Sequence, residues 1–187
     1  MPTNLEGVRV AILATDGVEE AELVEPRKAL KEAGAETILL SPKTGQIQAM
    51  KHDEKTKKYD VDMALDEADP EQFDAVLLPG GGMNADALRV ESAAHAFITS
   101  IDESGKPIAI ICHAPWLLIS AGRVENRLLT SYHTIQDDVL NAGGNWVDKE
   151  VVVDGNWVSS RQPSDIPAFN REMLKLFETS KIPRKAA

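Results

Sequence analysis

The sequence predicts an α/β fold in which a mostly parallel, doubly wound sheet is sandwiched by helices. Apolar runs typical of strands buried on both faces recur along the chain, and segments with helical spacing of apolar residues separate them. Residues 107–122 change directly from one pattern to the other. Ligands of such folds bind at the carboxyl ends of the parallel strands, so we expect the functional site there.

Most elements can be placed in order. Core strands are predicted at 8–14, 35–41, 73–79 and 107–111, with a short strand at 128–132 and a hairpin over 145–160. Helices are predicted at 19–34, 84–103, 114–121, 134–142 and 163–176. Residues 42–72 are polar and hard to place. A hairpin around Thr44-Gly45 is one option, and the charged run 52–58 is expected to be a solvated loop.

Length and composition exclude several classes of protein. The 187 residues are expected to form a single domain, 1–187, and the net charge of −10 argues against binding of nucleic acid or an anionic membrane. A single cysteine suits a reducing compartment. No stretch has the length of a membrane span or the pattern of a signal peptide, so a cytoplasmic location is expected. The four histidines show no paired spacing, and phosphate-binding glycine motifs are absent, so neither a metal nor a cofactor is predicted.

The cysteine lies where the predicted central strand turns into a helix. Cys112 follows the apolar run 108–111 and is followed by His113. The free amides of a helix N-terminus lower a thiol pKa and can stabilise an oxyanion, so this position predicts a nucleophile elbow with an activated thiol. The alternative is a small buried side chain with no chemical role.

Two other strand ends should meet this cysteine. The first is followed by an acidic cluster that includes Glu19, Glu20 and Glu22, and the third by three glycines, 80–82. Spacing does not decide which glutamate faces the site, and Glu19 also stands at capping-box spacing from Asp16. Adjacent helical residues do not face each other, so His113 could contribute its amide rather than its ring.

These motifs resemble the PfpI family, of the intracellular protease I type, in the class I glutamine amidotransferase-like superfamily. The segments DGVEEAEL, LLPGGG, AIICHAPWLL, LLTSYHTIQDDVLNAGGNWVD and EVVVDGNWVSSRQPSDIPAF carry the resemblance, which covers a core of about residues 8–177. It implies a flavodoxin-like fold with a nucleophile elbow.

The resemblance also implies roles for particular residues. The family's nucleophile matches Cys112, its following histidine matches His113, and its glutamate, which contacts the sulfur, matches Glu19. The oxyanion amides match Gly81 and His113. An acidic residue from the neighbouring subunit matches Asp86. His133 stands where many relatives have proline.

The implied activities are those of a cysteine peptidase, a glyoxalase or a deglycase, acting on a peptide or a small reactive carbonyl. The implied assembly is a homo-oligomer, either a dimer or a trimer of dimers, in a cytosolic stress-response protein. The H-x-E pair of glutamine amidotransferases is absent from residues 159–167, which argues against glutaminase chemistry. The alternative functions are a redox sensor or chaperone-like protein whose cysteine is oxidised without turnover, and a purely structural domain.

Overall fold

The structure, a computed structural model, describes residues 3–179; residues 1–2 and 180–187 are outside that range. The strands are β1 Arg9–Leu13, β2 Val18–Glu19, β3 Glu36–Ser41, β4 Gln46–Lys51, β5 Glu54–Asp60, β6 Met63–Ala64, β7 Ala75–Leu78, β8 Ile108–Ile111, β9 Leu128–Leu129, β10 Asn145–Trp146, β11 Val151–Asp154 and β12 Trp157–Ser160. The helices are α1 Glu20–Glu32, α2 Gly82–Leu88, α3 Ser92–Glu103, α4 Pro115–Ser120, α5 Gln136–Asn141 and α6 Ile166–Thr179.

A seven-stranded sheet organises the molecule. Its strand order is β11-β12-β8-β7-β1-β3-β6, and every neighbouring pair is parallel except β11 with β12. The predicted fold class is therefore confirmed. Because β1, β7 and β8 are adjacent and parallel, the segments after their carboxyl ends lie at one edge of the sheet.

Apolar side chains cover both faces of this sheet. One core cluster joins the sheet to α1 and α6 through buried residues that include Leu23, Leu30, Phe169 and Met173. The other joins it to α3, α4 and α5 through residues that include Phe97, Ile98, Leu118 and Val139. Burial on both faces explains why β1, β7 and β8 read as uninterrupted apolar runs.

Among the predicted elements, the single helix at 84–103 and the loop at 52–58 are wrong. The helix expected at 84–103 is two helices, because the backbone at Glu91 is extended (φ −84°, ψ 114°) and the ring of His95 contacts the Arg89 carbonyl at 2.6 Å. The charged run 52–58 is not a loop. Most of it belongs to β5, which pairs antiparallel with β4 in a hairpin that turns at His52 and Asp53. Its exposed charges suit an edge strand, since they discourage pairing with another chain.

The α6 face of the core allows a stability test. Phe169 is fully buried, whereas Leu140 on α5 is 46% exposed. We expect Phe169→Ala to lower the free energy of unfolding by about 3–5 kcal/mol because it leaves a cavity, and Leu140→Ala to change it by less than about 0.5 kcal/mol. Urea denaturation followed by circular dichroism measures both. Equal effects would contradict this account of the core.

Candidate active site

Cys112 occupies a sharp turn between β8 and α4. Its φ is 64°, in the left-handed region that residues other than glycine rarely adopt. Both backbone groups are fixed: its N–H donates to the Ser160 carbonyl (3.1 Å), and its carbonyl accepts from the Tyr132 N–H (2.9 Å). The side chain is 7% exposed. The predicted elbow geometry is present, and the strained backbone is held by bonds to two neighbouring segments.

Two amides and an imidazole surround the sulfur. The backbone N–H groups of Gly81 and His113 donate to it. The Nδ1 atom of His113 lies 3.1 Å from Sγ. The left-handed turn at Cys112 therefore brings the adjacent ring onto the sulfur, although successive residues on a regular helix would not face each other. These are the two amides that the family resemblance implies for an oxyanion.

A buried asparagine aims the glycine loop at the sulfur. Asn84, the third residue of α2, donates from Nδ2 to the carbonyls of Pro79 (3.1 Å) and Gly80 (2.9 Å) and accepts from the Thr15 N–H (2.7 Å). A Cβ atom on Gly80 would lie 2.6 Å from the Cβ of Cys112. Only glycine allows this close approach of the backbone to Cys112. The glycines therefore do more than form a turn. Asn84 was not predicted as a site residue, because no distinctive motif in the sequence identifies it.

The carboxyl that faces the thiol is that of Glu22, not Glu19, which corrects the assignment made from the resemblance. Glu22 lies in the first turn of α1 and is fully buried. Its Oε2 accepts from the Gly80 N–H at 2.8 Å. Among residues 3–179 no hydrogen-bond donor contacts its Oε1, and the carboxyl lies close enough to the Cys112 thiol for each group to shift the pKa of the other. The thiol and the carboxyl therefore form a buried pair.

Glu19 is displaced from the sulfur by its own backbone pairing. It belongs to β2, which pairs with β4 of the hairpin, and its Oε2 accepts from the His52 N–H at 3.0 Å. The capping interpretation is also wrong, since Asp16 accepts from Gln48 N–H (2.7 Å) and from Lys43 Nζ (2.7 Å) instead. Residues 42–72 could not be placed from sequence, so the strand that directs Glu19 could not be foreseen.

The environment of this pair favours protonated groups. Burial raises the pKa of Glu22 to about 8, assisted by the nearby negative charge of Glu19. Burial also raises the pKa of the Cys112 thiol, and ionised Glu22 adds to this, while the amides of Gly81 and His113 lower it. The net pKa of the thiol is raised, chiefly by burial, so the expected lowering by the helix N-terminus is wrong; only the two amides act in the expected direction. A protonated Glu22 removes the repulsion and can donate to a thiolate.

His113 stands in an aromatic setting. Its ring stacks on Tyr132 (4.9 Å between centroids) and meets the edge of Trp116 (5.3 Å). Burial lowers the pKa of His113, and His133 lowers it further. His133 therefore lies close enough to His113 to affect its charge. A neutral imidazole beside the sulfur can accept the thiol proton.

A cavity of about 430 Å³ opens onto the sulfur. It is lined by Glu19, Glu22, His52, Gly81, Gly82, Cys112, His113, Tyr132, Gln162, Pro163 and Ser164. The sequence analysis had not assigned Tyr132 or residues 162–164 to the site. They arrive from the loops after β9 and β12, whose convergence depends on the sheet order.

Some sequence predictions concern groups outside this cavity. Asp86 is exposed on α2, and its predicted role involves a second copy of the chain. Within residues 3–179, no cluster of three or more histidine, cysteine or acidic side chains is arranged to bind a metal ion. No helix in that range is both long and apolar enough to cross a bilayer.

Comparison with known proteins gives consistent matches. The model of the DJ-1/PfpI family matches residues 8–176. Deglycase TK1284 of Thermococcus kodakarensis is 48% identical, over 90% of this chain and 99% of that protein. Protein/nucleic acid deglycase 2 of Escherichia coli is 42% identical, over 90% and 96%. The crystal structure of Drosophila melanogaster DJ-1beta superposes with a TM-score of 0.84 at 26% identity and covers 91% of this chain and 90% of that one.

One of these relatives bears on the expectation, drawn from the net charge, that the protein does not bind nucleic acid. The name of the Escherichia coli relative includes nucleic acid among the targets of that protein. The net charge of −10 therefore does not support the expected exclusion of nucleic-acid substrates.

Proposed function

Because the chain belongs to the DJ-1/PfpI family, we propose that it is a cysteine-dependent enzyme of the glyoxalase or deglycase type. Its substrates are small reactive carbonyls or their adducts. The observation that carries the proposal is the position of the Cys112 sulfur. It accepts hydrogen bonds from the N–H groups of Gly81 and His113, lies beside the Glu22 carboxyl and is open to a cavity. An addition at a carbonyl needs a nucleophile, oxyanion donors and a proton carrier, and all three are present at this point.

Methylglyoxal reacts in three proposed steps. The Cys112 thiolate adds to the aldehyde carbon, and the resulting oxyanion accepts the amides of Gly81 and His113. The proton on that carbon moves to the neighbouring ketone carbon through Glu22 or His113, which leaves a lactoyl thioester. Water cleaves the thioester and regenerates the thiol, so methylglyoxal and water give lactic acid.

The test is turnover of methylglyoxal by the wild-type protein and by Cys112→Ser. We expect the wild type to form lactate and Cys112→Ser to form none above the uncatalysed rate, because a serine hydroxyl is far less nucleophilic than a thiolate. A fluorogenic peptide assayed in parallel tests the peptidase activity that the same groups could support through a thioester. Equal lactate formation by both proteins would refute the proposal.

A second candidate function is a redox sensor or chaperone-like protein without turnover. The observation that favours it is the free Oε1 of Glu22 beside two amides at the sulfur, because a sulfenic or sulfinic oxygen there would find both donors and a carboxyl partner. Mild peroxide followed by intact mass measurement tests it. Oxygen added to Cys112 in a protein that turns over neither substrate would favour this function.

A cytoplasmic location and a homo-oligomer belong to the same proposal. A chain with one cysteine suits a reducing compartment. Met83 on α2 and Val90 just after this helix are exposed apolar residues on either side of Asp86. A second copy of the chain would cover them and would bring Asp86 close to the neighbouring subunit. Light scattering with Asp86→Asn and Met83→Lys would test whether this helix lies in an interface.

A further inference from the structure

Glu19 is fixed on the wall of the active-site cavity by backbone contacts. Its side chain accepts the His52 N–H at 3.0 Å, and its own N–H donates to the Gly80 carbonyl at 3.3 Å. The residue is 8% exposed and lines the cavity that holds Cys112. The mechanism proposed above does not use this carboxylate, which therefore needs another explanation.

The cavity lining contains no lysine or arginine. Glu22 is kept protonated at neutral pH because its pKa is raised to about 8, and the pKa of His113 is lowered by burial. His52, which also lines this cavity, is exposed to solvent. The nearby Arg161 is paired with Asp148 (2.7 Å) and Asp165 (2.8 Å). Among residues 3–179 no lysine or arginine of this cavity offsets the charge of Glu19, which therefore contributes a negative charge to the cavity.

A second cavity of about 370 Å³ adjoins the first, and the two share Glu19, His52 and Pro163. It is also lined by Glu20 and Glu25 and by two lysines, Lys51 and Lys57. A substrate group that extended from the sulfur towards the second cavity would therefore lie beside the Glu19 carboxylate. A charge at that point acts on the substrate before and during reaction at Cys112.

We infer that Glu19 sets the charge preference of the site, so that carbonyl compounds with a cationic group are bound in preference to those with a carboxylate or phosphate. The inference rests on the proposed function, since it takes Cys112 as the reacting atom. Glu19 is then a specificity-determining residue. Its carboxylate attracts a cation at the junction of the cavities and repels an anion, whose charge no lysine or arginine of the first cavity offsets.

Thiol labelling measures this preference without any enzymatic turnover. The probes are three methanethiosulfonates, with trimethylammonioethyl, sulfonatoethyl and methyl groups; each transfers its thiol group to the Cys112 thiolate and releases methanesulfinate. Rates are followed by intact mass, and the neutral methyl reagent corrects for changes in thiolate reactivity. We expect the cationic reagent to react about tenfold faster than the anionic one, and Glu19→Gln to reduce that ratio about threefold to tenfold.

Two variants control the measurement. Glu25→Gln removes the same charge from an exposed position in the second cavity and should preserve the ratio, and Glu19→Asp keeps the charge and should also preserve it. An unchanged ratio in Glu19→Gln, or an equal fall in Glu25→Gln, would overturn the inference. Failure of the neutral reagent to label Cys112 would instead overturn the proposed function, and the inference with it.

Discussion

Glu22→Gln is expected to separate the reactivity of the thiol from turnover. Glutamine can still accept the Gly80 N–H that Glu22 accepts at 2.8 Å, but it cannot carry a proton. We expect methylglyoxal turnover to fall by about 10²–10⁴-fold, the usual contribution of a general acid or base. The alkylation rate of Cys112 above pH 8 should rise, because ionised Glu22 raises the thiol pKa in the wild type.

The same substitution should stabilise the fold as the pH rises. The unfolded chain ionises this carboxyl near pH 4.5, whereas the folded protein keeps it protonated until about pH 8. Between these values the unfolded state binds fewer protons, so the stability of the wild type falls as the pH rises and levels off above 8. Glu22→Gln lacks this loss and should be more stable at pH 8 by a few kcal/mol, since each pKa unit corresponds to about 1.4 kcal/mol.

Urea denaturation at pH 4, 6 and 8 measures the stability difference, and Glu25→Gln is the control because Glu25 is exposed on the same helix. The gap between Glu22→Gln and the wild type should widen from pH 4 to pH 8, while the control stays close to the wild type throughout. A constant gap would mean that folding does not shift the pKa of Glu22. Undiminished turnover would remove Glu22 from the proton transfer.

The elbow could be predicted from sequence because its signals are local. The apolar run 108–111, Cys112 and the helix that follows adjoin each other in the chain, and buried parallel strands place them at the sheet edge with the glycines after β7. The position of the His113 ring was harder to predict from the sequence, because it depends on the left-handed φ at Cys112. No local pattern identifies that angle in a residue other than glycine.

The choice of glutamate failed for a different reason. Glu19, Glu20 and Glu22 are nearly adjacent, and their directions depend on where α1 begins and on what pairs with the residues before it. That partner is β4, whose hairpin lies in the polar region 42–72. The strands of this hairpin, β4 and β5, are held together by backbone hydrogen bonds and expose many charged side chains. The alternation of apolar and polar residues that normally identifies a strand is therefore weak. The resemblance to a family could not replace this missing contact.

Gly80→Ala is expected to damage the site through a single methyl group. The added Cβ would overlap Glu22 Oε2 and lie 2.6 Å from the Cys112 Cβ and 2.9 Å from the Ile111 carbonyl oxygen. The φ of Gly80 is one that alanine adopts, so the effect is steric. We expect a loss of about 1–3 kcal/mol in the free energy of unfolding, as for overpacking elsewhere. We also expect at least a tenfold loss of turnover because the carboxyl and the sulfur are pushed apart.

Gly82→Ala is the matched control two residues along the same loop. Its Cβ would meet the Nε2 of His113 at 4.0 Å, an ordinary contact, and alanine suits the first residue of α2. Stability by urea denaturation and turnover of methylglyoxal should therefore stay near wild-type values in this variant. If Gly80→Ala behaved like Gly82→Ala, the close approach of the glycine loop to Cys112 and Glu22 would not be what holds the pair in place. The orientation of the pair would then have to come from the bonds of Asn84 to the loop carbonyls alone.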